Sequence, residues 1–189
     1  MIPMRTASTG SAEPRGPHIV LVGLPGAGKS SVGVLLARLL DCPFLDFDAE
    51  IERRTAKTIR EIFAAEGEDV FRQMERVITV ELAGQPGMVL APGGGWMARE
   101  GNVALLRPPA RLIHLAVSVE AALARLGPET AQRPLLAGPD PASSLAALSL
   151  SRLPLYGMAD AELETETLTP QEVTLGAKRL ASRWGWRVA

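Results

Sequence analysis

Residues 23–30 read Gly-Leu-Pro-Gly-Ala-Gly-Lys-Ser, the G-x-x-x-x-G-K-[ST] spacing of a loop that holds phosphate. Glycines let the backbone curl until successive N–H groups point at one anion. Lys29 adds a charge for the β- and γ-phosphates, and Ser30 offers a hydroxyl to Mg²⁺. Gly26, Ala27, Gly28, Lys29, Ser30 and Ser31 are therefore the expected nucleotide contacts. The plain alternative is a glycine-rich turn that binds nothing. A second pair able to do chemistry is Asp46 and Asp48. In an extended segment residues at i and i+2 share a face. One carboxylate can then work on the Mg²⁺ side while the other accepts a proton from a substrate hydroxyl.

Such a loop works between a buried strand and a helix whose N-terminal dipole favours phosphate. Both flanks are present. His18-Ile19-Val20-Leu21-Val22 is a continuous apolar-rich run, and Val32, Leu35, Leu36, Leu39 and Leu40 recur at helical spacing. Residues 43–46 predict a short second strand, with Asp48 capping a helix that runs through Arg54. Thr58-Ile59-Arg60-Glu61 is a capping box, and its helix has the stripe Ile59, Ile62, Phe63. The stripe resumes after Gly67 as Phe71, Met74, Val77 and Ile78. Residues 87–91 predict a third strand running into Gly93-Gly94-Gly95, and residues 111–117 a fourth. Ser118 caps a helix to about Leu126, and a Gly/Pro-dense mobile loop covers 127–141. A helix over about 142–156, a short fifth strand at 161–165 and a final helix opened by Thr169-Pro170-Gln171-Glu172 complete the chain.

Strands alternating with helices define a parallel sheet covered on both faces. The expected fold is α/β: a P-loop NTPase-type three-layer sandwich, with a five-stranded parallel sheet flanked by helices and a mobile lid. Ligands in such sheets sit beyond the carboxyl ends of the strands. The phosphate loop, Asp46, Asp48 and the triple glycine all fall there. Strand three ends in Ala91 and glycines rather than an acid, so Asp46 must supply the metal-side carboxylate from strand two.

Bulk properties narrow the partners. The chain has 189 residues and a net charge of −1, so no global field recruits nucleic acid or an anionic membrane. No apolar run reaches the length of a membrane span. Cys42 is the only cysteine, which excludes an internal disulfide and any Cys-rich metal site; it is read as a small core residue. Residues 1–17 are polar, punctuated by proline and glycine, and lack a signal-peptide apolar region. They are expected to be a disordered leader before one domain spanning 18–189, in a cytoplasmic protein.

The motifs, taken in order, resemble shikimate kinases. The resemblance rests on the phosphate loop, Asp46-Phe47-Asp48, Phe71-Arg72-Gln73-Met74-Glu75, Gly93 to Gly95, Arg133-Pro134-Leu135-Leu136 and Arg152-Leu153-Pro154-Leu155-Tyr156, between about His18 and Arg183. It implies transfer of the ATP γ-phosphate to the 3-hydroxyl of shikimate, with Mg²⁺ held near Ser30 and Asp46. It further implies Asp48 as general base, helped by Lys29 and by Arg133, a lid arginine that closes over the ATP phosphates. Arg72 and Arg152 correspond to the arginines that grip the shikimate carboxylate, a role suited to a planar fork. Glu75 would orient Arg72 or reach a substrate hydroxyl, a plain ion pair being the alternative. Gly93, Gly94 and Gly95 would bring backbone N–H groups close to substrate and γ-phosphate. The implied partners are ATP and shikimate, with a monomeric chain. Trp96 departs from the family pattern and is expected to pack under the substrate or narrow the pocket. Arg125 is a further nucleotide candidate. His114 and Tyr156 are expected to be packing residues. Another sugar-acid kinase, such as gluconate kinase, and a non-catalytic regulatory domain of this fold remain the alternatives.

Overall fold

Five parallel strands carry the chain's chemistry to one edge. In the computed structural model, which describes residues 16–187, they are β1 (Ile19–Val22), β2 (Phe44–Asp46), β3 (Val89–Ala91), β4 (Arg111–Ala116) and β5 (Ala161–Glu164). Their spatial order is β2-β3-β1-β4-β5. The register pairs Asp46 with Ala91 and Val22 with His114. The loops after β1, β2 and β3 therefore emerge side by side.

The side-chain period of two splits each strand between two cores. Val20, Val22, Leu90 and Leu112 face one layer. That layer holds α2 (Phe47–Thr55), α3 (Ile59–Glu66), α4 (Glu68–Leu82), α6 (Val119–Leu126) and α7 (Pro141–Tyr156). Ile19, Leu21, Val89, Ile113 and Leu115 face the other, with α1 (Lys29–Leu40) and α8 (Pro170–Arg183). Each fully buried Leu or Ile contributes about 1.5–3 kcal/mol of transfer free energy, and both layers rest on such residues. Among the described residues no helix is long and apolar enough to cross a membrane.

The helix starts follow the capping signals, with one correction. Thr58 and Thr169 each form the reciprocal box with Glu61 and Glu172, and Ser118 accepts from the Ala121 N–H. The cap of α2, however, is Asp46 and not Asp48. Asp46 Oδ1 accepts from the N–H groups of Asp48 (3.0 Å) and Ala49 (3.3 Å). The helix starts at Phe47, so Asp48 lies in its first turn with its carboxylate left over for other work. Pro154 sits inside α7 two residues from its end, so it removes one backbone hydrogen bond of the last turn.

Four elements carry no local sequence signal. They are a 3₁₀ turn at Trp96–Ala98, the short helix α5 (Asn102–Leu106) and two 3₁₀ turns at 127–132 and 134–136 within the expected loop. Leu136 is buried and ties that loop to the core. Residues 1–15 of the expected leader lie outside the described residues. Gly16 and Pro17 dock on the C-terminal segment, where Trp186 Nε1 donates to Pro17 O at 2.8 Å. Cys42 is half-buried against the α1/α8 core rather than inside it. His114 and Tyr156 do pack, with stacked rings 4.4 Å apart.

Candidate active site

The phosphate loop has the backbone its glycines allow. Gly26 has φ +82°, and a Cβ there would meet Ala122 O at 2.5 Å, so no other residue fits. Lys29 opens α1 and folds back over the loop, donating from Nζ to Gly23 O and Leu24 O at 3.0 Å each. Burial pushes this ammonium down to about 8, and the Arg133 and Arg152 cations add to the effect against Asp48 and Asp46. The next residue, Ser30, donates from Oγ to Asp46 Oδ2 at 2.5 Å. Asp46 is thus fixed twice, by the α2 cap and by the loop serine.

Asp48 projects from the first turn of α2 with Oδ1 buried and unpartnered. Burial raises its pKa, and the neighbouring Asp46 charge adds to this, against the pull of Lys29, Arg133 and Arg72. Arg72 and Glu75 lie on one face of α4, three residues apart. Arg72 Nη1 donates to Glu75 Oε2 at 2.7 Å, and Nη2 donates to Glu68 Oε1 at 2.7 Å. Glu75 is fully buried, its Oε1 has no partner, and burial raises its pKa. Arg152, on α7, is also buried.

The triple glycine provides room for these side chains. A Cβ on Gly93 would lie 2.6 Å from Glu75 Oε1 and 3.3 Å from Asp48 Oδ1. On Gly94 it would lie 2.7 Å from Arg152 Nη1, and on Gly95 2.3 Å from Arg72 Nη2. Each glycine therefore faces a different charged residue, and none of the three has positive φ.

Two cavities meet at this point. One, of about 480 Å³, is lined by the loop residues Gly26 to Ser31 with Asp46 and Arg125. The other, of about 240 Å³, is lined by Arg72, Arg152 and Gly95 with Phe63, Phe71 and Leu136. Asp48, Gly93, Gly94 and Arg133 line both. Arg133 Nε is buried there without a partner. Buried polar atoms are nearly always paired, so orphan groups on Asp48 and Arg133 at one junction mark a place for a polar ligand.

The expected site residues are brought together around these two cavities, with two exceptions. Glu75 lines neither and reaches them only through Arg72 and Gly93. Trp96 does not narrow the pocket, which corrects that part of the expectation: it lines neither cavity and is fully buried in the core, its indole reaching Thr79 on α4 and Phe47 on α2. Arg125 lines the loop-side cavity while donating to Thr165 Oγ1 at 3.2 Å. Glu68 and Glu52 were not foreseen. Glu68 is legible as an i−4 partner of Arg72; Glu52 lines the smaller cavity from α2, a placement with no local signal.

A glycine loop between β1 and α1, at the carboxyl edge of a five-stranded parallel sheet, makes this a P-loop α/β protein with a second cavity lined by cations. Known proteins narrow the class. A family model described as shikimate kinase matches residues 25–180. The chain belongs to the shikimate kinase family. It is 46% identical over 167 residues to a shikimate kinase of Thermobifida fusca, covering 87% of this chain and 95% of that one. It is 43% identical over 157 residues to a shikimate kinase of Pseudomonas aeruginosa, covering 82% and 91%. A solved shikimate kinase from Acinetobacter baumannii, in complex with shikimate, superimposes with TM-score 0.83 at 39% identity, covering 88% of this chain and 93% of that one.

Proposed function

We propose that this chain transfers the γ-phosphoryl group of ATP to the 3-hydroxyl of shikimate. The observation that carries the reading is the shared wall: Asp48 and Arg133 line both cavities, with Lys29 on one side and Arg72 and Arg152 on the other. ATP phosphates lie in the loop against Lys29, Ser30 and Ser31. The shikimate carboxylate meets the two arginine forks, and its apolar ring face meets Phe63, Phe71 and Leu136. That places a ring hydroxyl at Asp48, whose unpartnered Oδ1 accepts the proton. Arg133 supplies a fixed cation where charge spreads over the transferring group, and positioning plus electrostatics supplies most of the rate in such transfers. Residues 127–141 act as the lid, excluding water when Arg133 closes on the phosphates. Glu75 orients Arg72.

The residues present fit Mg²⁺. Ser30 and Asp46 give two convergent oxygens, and Mg²⁺ is usually held by one or two protein groups with phosphates and water completing the octahedron. Bound there, the ion would neutralise phosphate charge.

The direct test is a coupled ADP-release assay with shikimate and, separately, gluconate. Shikimate-dependent release is expected; turnover on gluconate but not shikimate would sink the proposal.

Lys29 adds a pH signature. Its protonated form attracts phosphate, so ATP binding raises a pKa that stands at about 8 in the free protein. The KM for ATP should therefore climb above about pH 8, and ATP binding near that pH should take up protons. Calorimetry in two buffers of different ionisation heat measures the uptake. Identical heats at pH 8 would remove the assigned role of Lys29.

A further inference from the structure

Trp96 joins the glycine wall of the smaller cavity to α4, α2 and α7, three of the helices that line it. Its indole is fully buried, and a buried indole N–H needs an acceptor. It finds Thr79 Oγ1 on α4 at 2.8 Å. Thr79 Oγ1 in turn donates to Glu75 O at 2.7 Å, one turn from Arg72. The Trp96 ring also meets Phe47 edge-on, with centroids 6.4 Å apart and planes at 78°. Phe47 lies between Asp46 and Asp48 in the chain. The Trp96 backbone is held as well: its N–H donates to Gly93 O at 2.9 Å, and its carbonyl accepts from Asn102 Nδ2 at 3.0 Å. The turn it opens packs on α7, which carries Arg152.

We infer that Trp96 is a positioning residue that sets the glycine wall against the Arg72 guanidinium. The inference rests on the reading that Arg72 grips the substrate carboxylate. Gly95 immediately precedes Trp96, and the space a Cβ would take there is filled by Arg72 Nη2 at 2.3 Å. Loop backbone and guanidinium are thus in direct contact, with no slack between them. The Trp96–Thr79 hydrogen bond is the tie that fixes this loop to α4 at that spacing. A smaller residue without an N–H donor could fill part of the volume but could not make the tie.

The test is steady-state kinetics of the full chain with both substrates varied, alongside melting temperatures. Trp96→Phe removes the donor, Thr79→Val removes the acceptor, and Thr79→Ser keeps it. The first two should raise the KM for shikimate about two- to tenfold, as loss of one hydrogen bond does, while the KM for ATP stays within about twofold and Thr79→Ser behaves as the parent. Should Thr79→Val fail to fold, Trp96→Phe carries the test, because it strands no buried donor. An unchanged shikimate KM, or equal rises for both substrates, would make Trp96 a core residue only and overturn the inference. An unmutated protein inert toward shikimate would overturn the inference together with the reading beneath it, so the two failures are told apart by the parent enzyme.

Discussion

Asp48→Asn is expected to lower kcat for phosphoryl transfer by about 10²–10⁴-fold, the contribution of one positioned general base, and to raise the melting temperature at neutral pH. Both effects come from one carboxylate. Asp48 Oδ1 is buried without a hydrogen-bond donor, and burial, with the charge of Asp46, lifts its pKa above the ordinary carboxylate value. A carboxyl group whose pKa is higher in the folded than in the unfolded chain favours folding at pH below its unfolded pKa. That benefit is lost as pH rises through the folded pKa. At neutral pH the ionised group therefore opposes folding, and a neutral amide of the same shape relieves it. Each kcal/mol of relief reads as about 2–4 °C in a chain of this size. The parent's kcat/KM should fall as pH drops through the raised Asp48 pKa, and this limb should be missing from the variant's residual rate. A kinetic and calorimetric comparison of the two proteins measures all three. A variant that keeps its kcat would remove Asp48 from the chemistry, and one that melts lower would show its charge to be net stabilising.

The same logic explains which parts of the site were legible in the residues alone. The phosphate loop is local: eight consecutive residues between a strand and a helix carry its geometry, and the order of elements around it follows from periodicity and caps. Asp46 and Asp48 were also found locally, but their division of labour was only partly readable. Both sit at a helix start, and either could cap it. The choice falls to Asp46 because β2 runs up to that residue and leaves its side chain level with the first free N–H groups of α2. That choice frees Asp48.

Non-local geometry escaped. The triple glycine read as a close approach of backbone to ligand, whereas the structure also shows three absent side chains making room for Glu75, Arg152 and Arg72. Those contacts join residues 18 to 58 positions apart in the chain, and no pattern within a single element encodes them. Trp96 failed for the same reason. Its neighbours in sequence point to the ligand, but its partner Thr79 lies on a helix whose face is settled only by tertiary packing. The short helix at Asn102–Leu106 and the 3₁₀ turns between residues 127 and 136 are too brief to show a period.

Arg152→Ala is expected to raise the KM for shikimate by about 30- to 1,000-fold, with a far smaller change for ATP. The basis is a difference between the two arginines. Arg72 is already held by Glu68 and Glu75, so removing it would strand a fully buried Glu75 and confuse lost binding with lost folding. Arg152 is buried too, yet among the described residues it forms no ion pair, and its Nη1 lies against Gly94 at the cavity wall. A buried cation without a counter-charge is costly, and in the proposed reading an incoming carboxylate is the missing partner. Truncating one member of such a hydrogen-bonded pair in the complex costs about 2–4 kcal/mol, and each 1.4 kcal/mol is a factor of ten. The free protein loses little, because alanine removes an unpaired charge; its melting temperature should hold or rise. Arg152→Lys keeps the charge but not the planar fork, so it should recover only part of the affinity. Titration of shikimate into the three proteins, followed by initial rates, separates the cases. A shikimate KM left unchanged in Arg152→Ala, in a folded protein, would show that the carboxylate is gripped elsewhere.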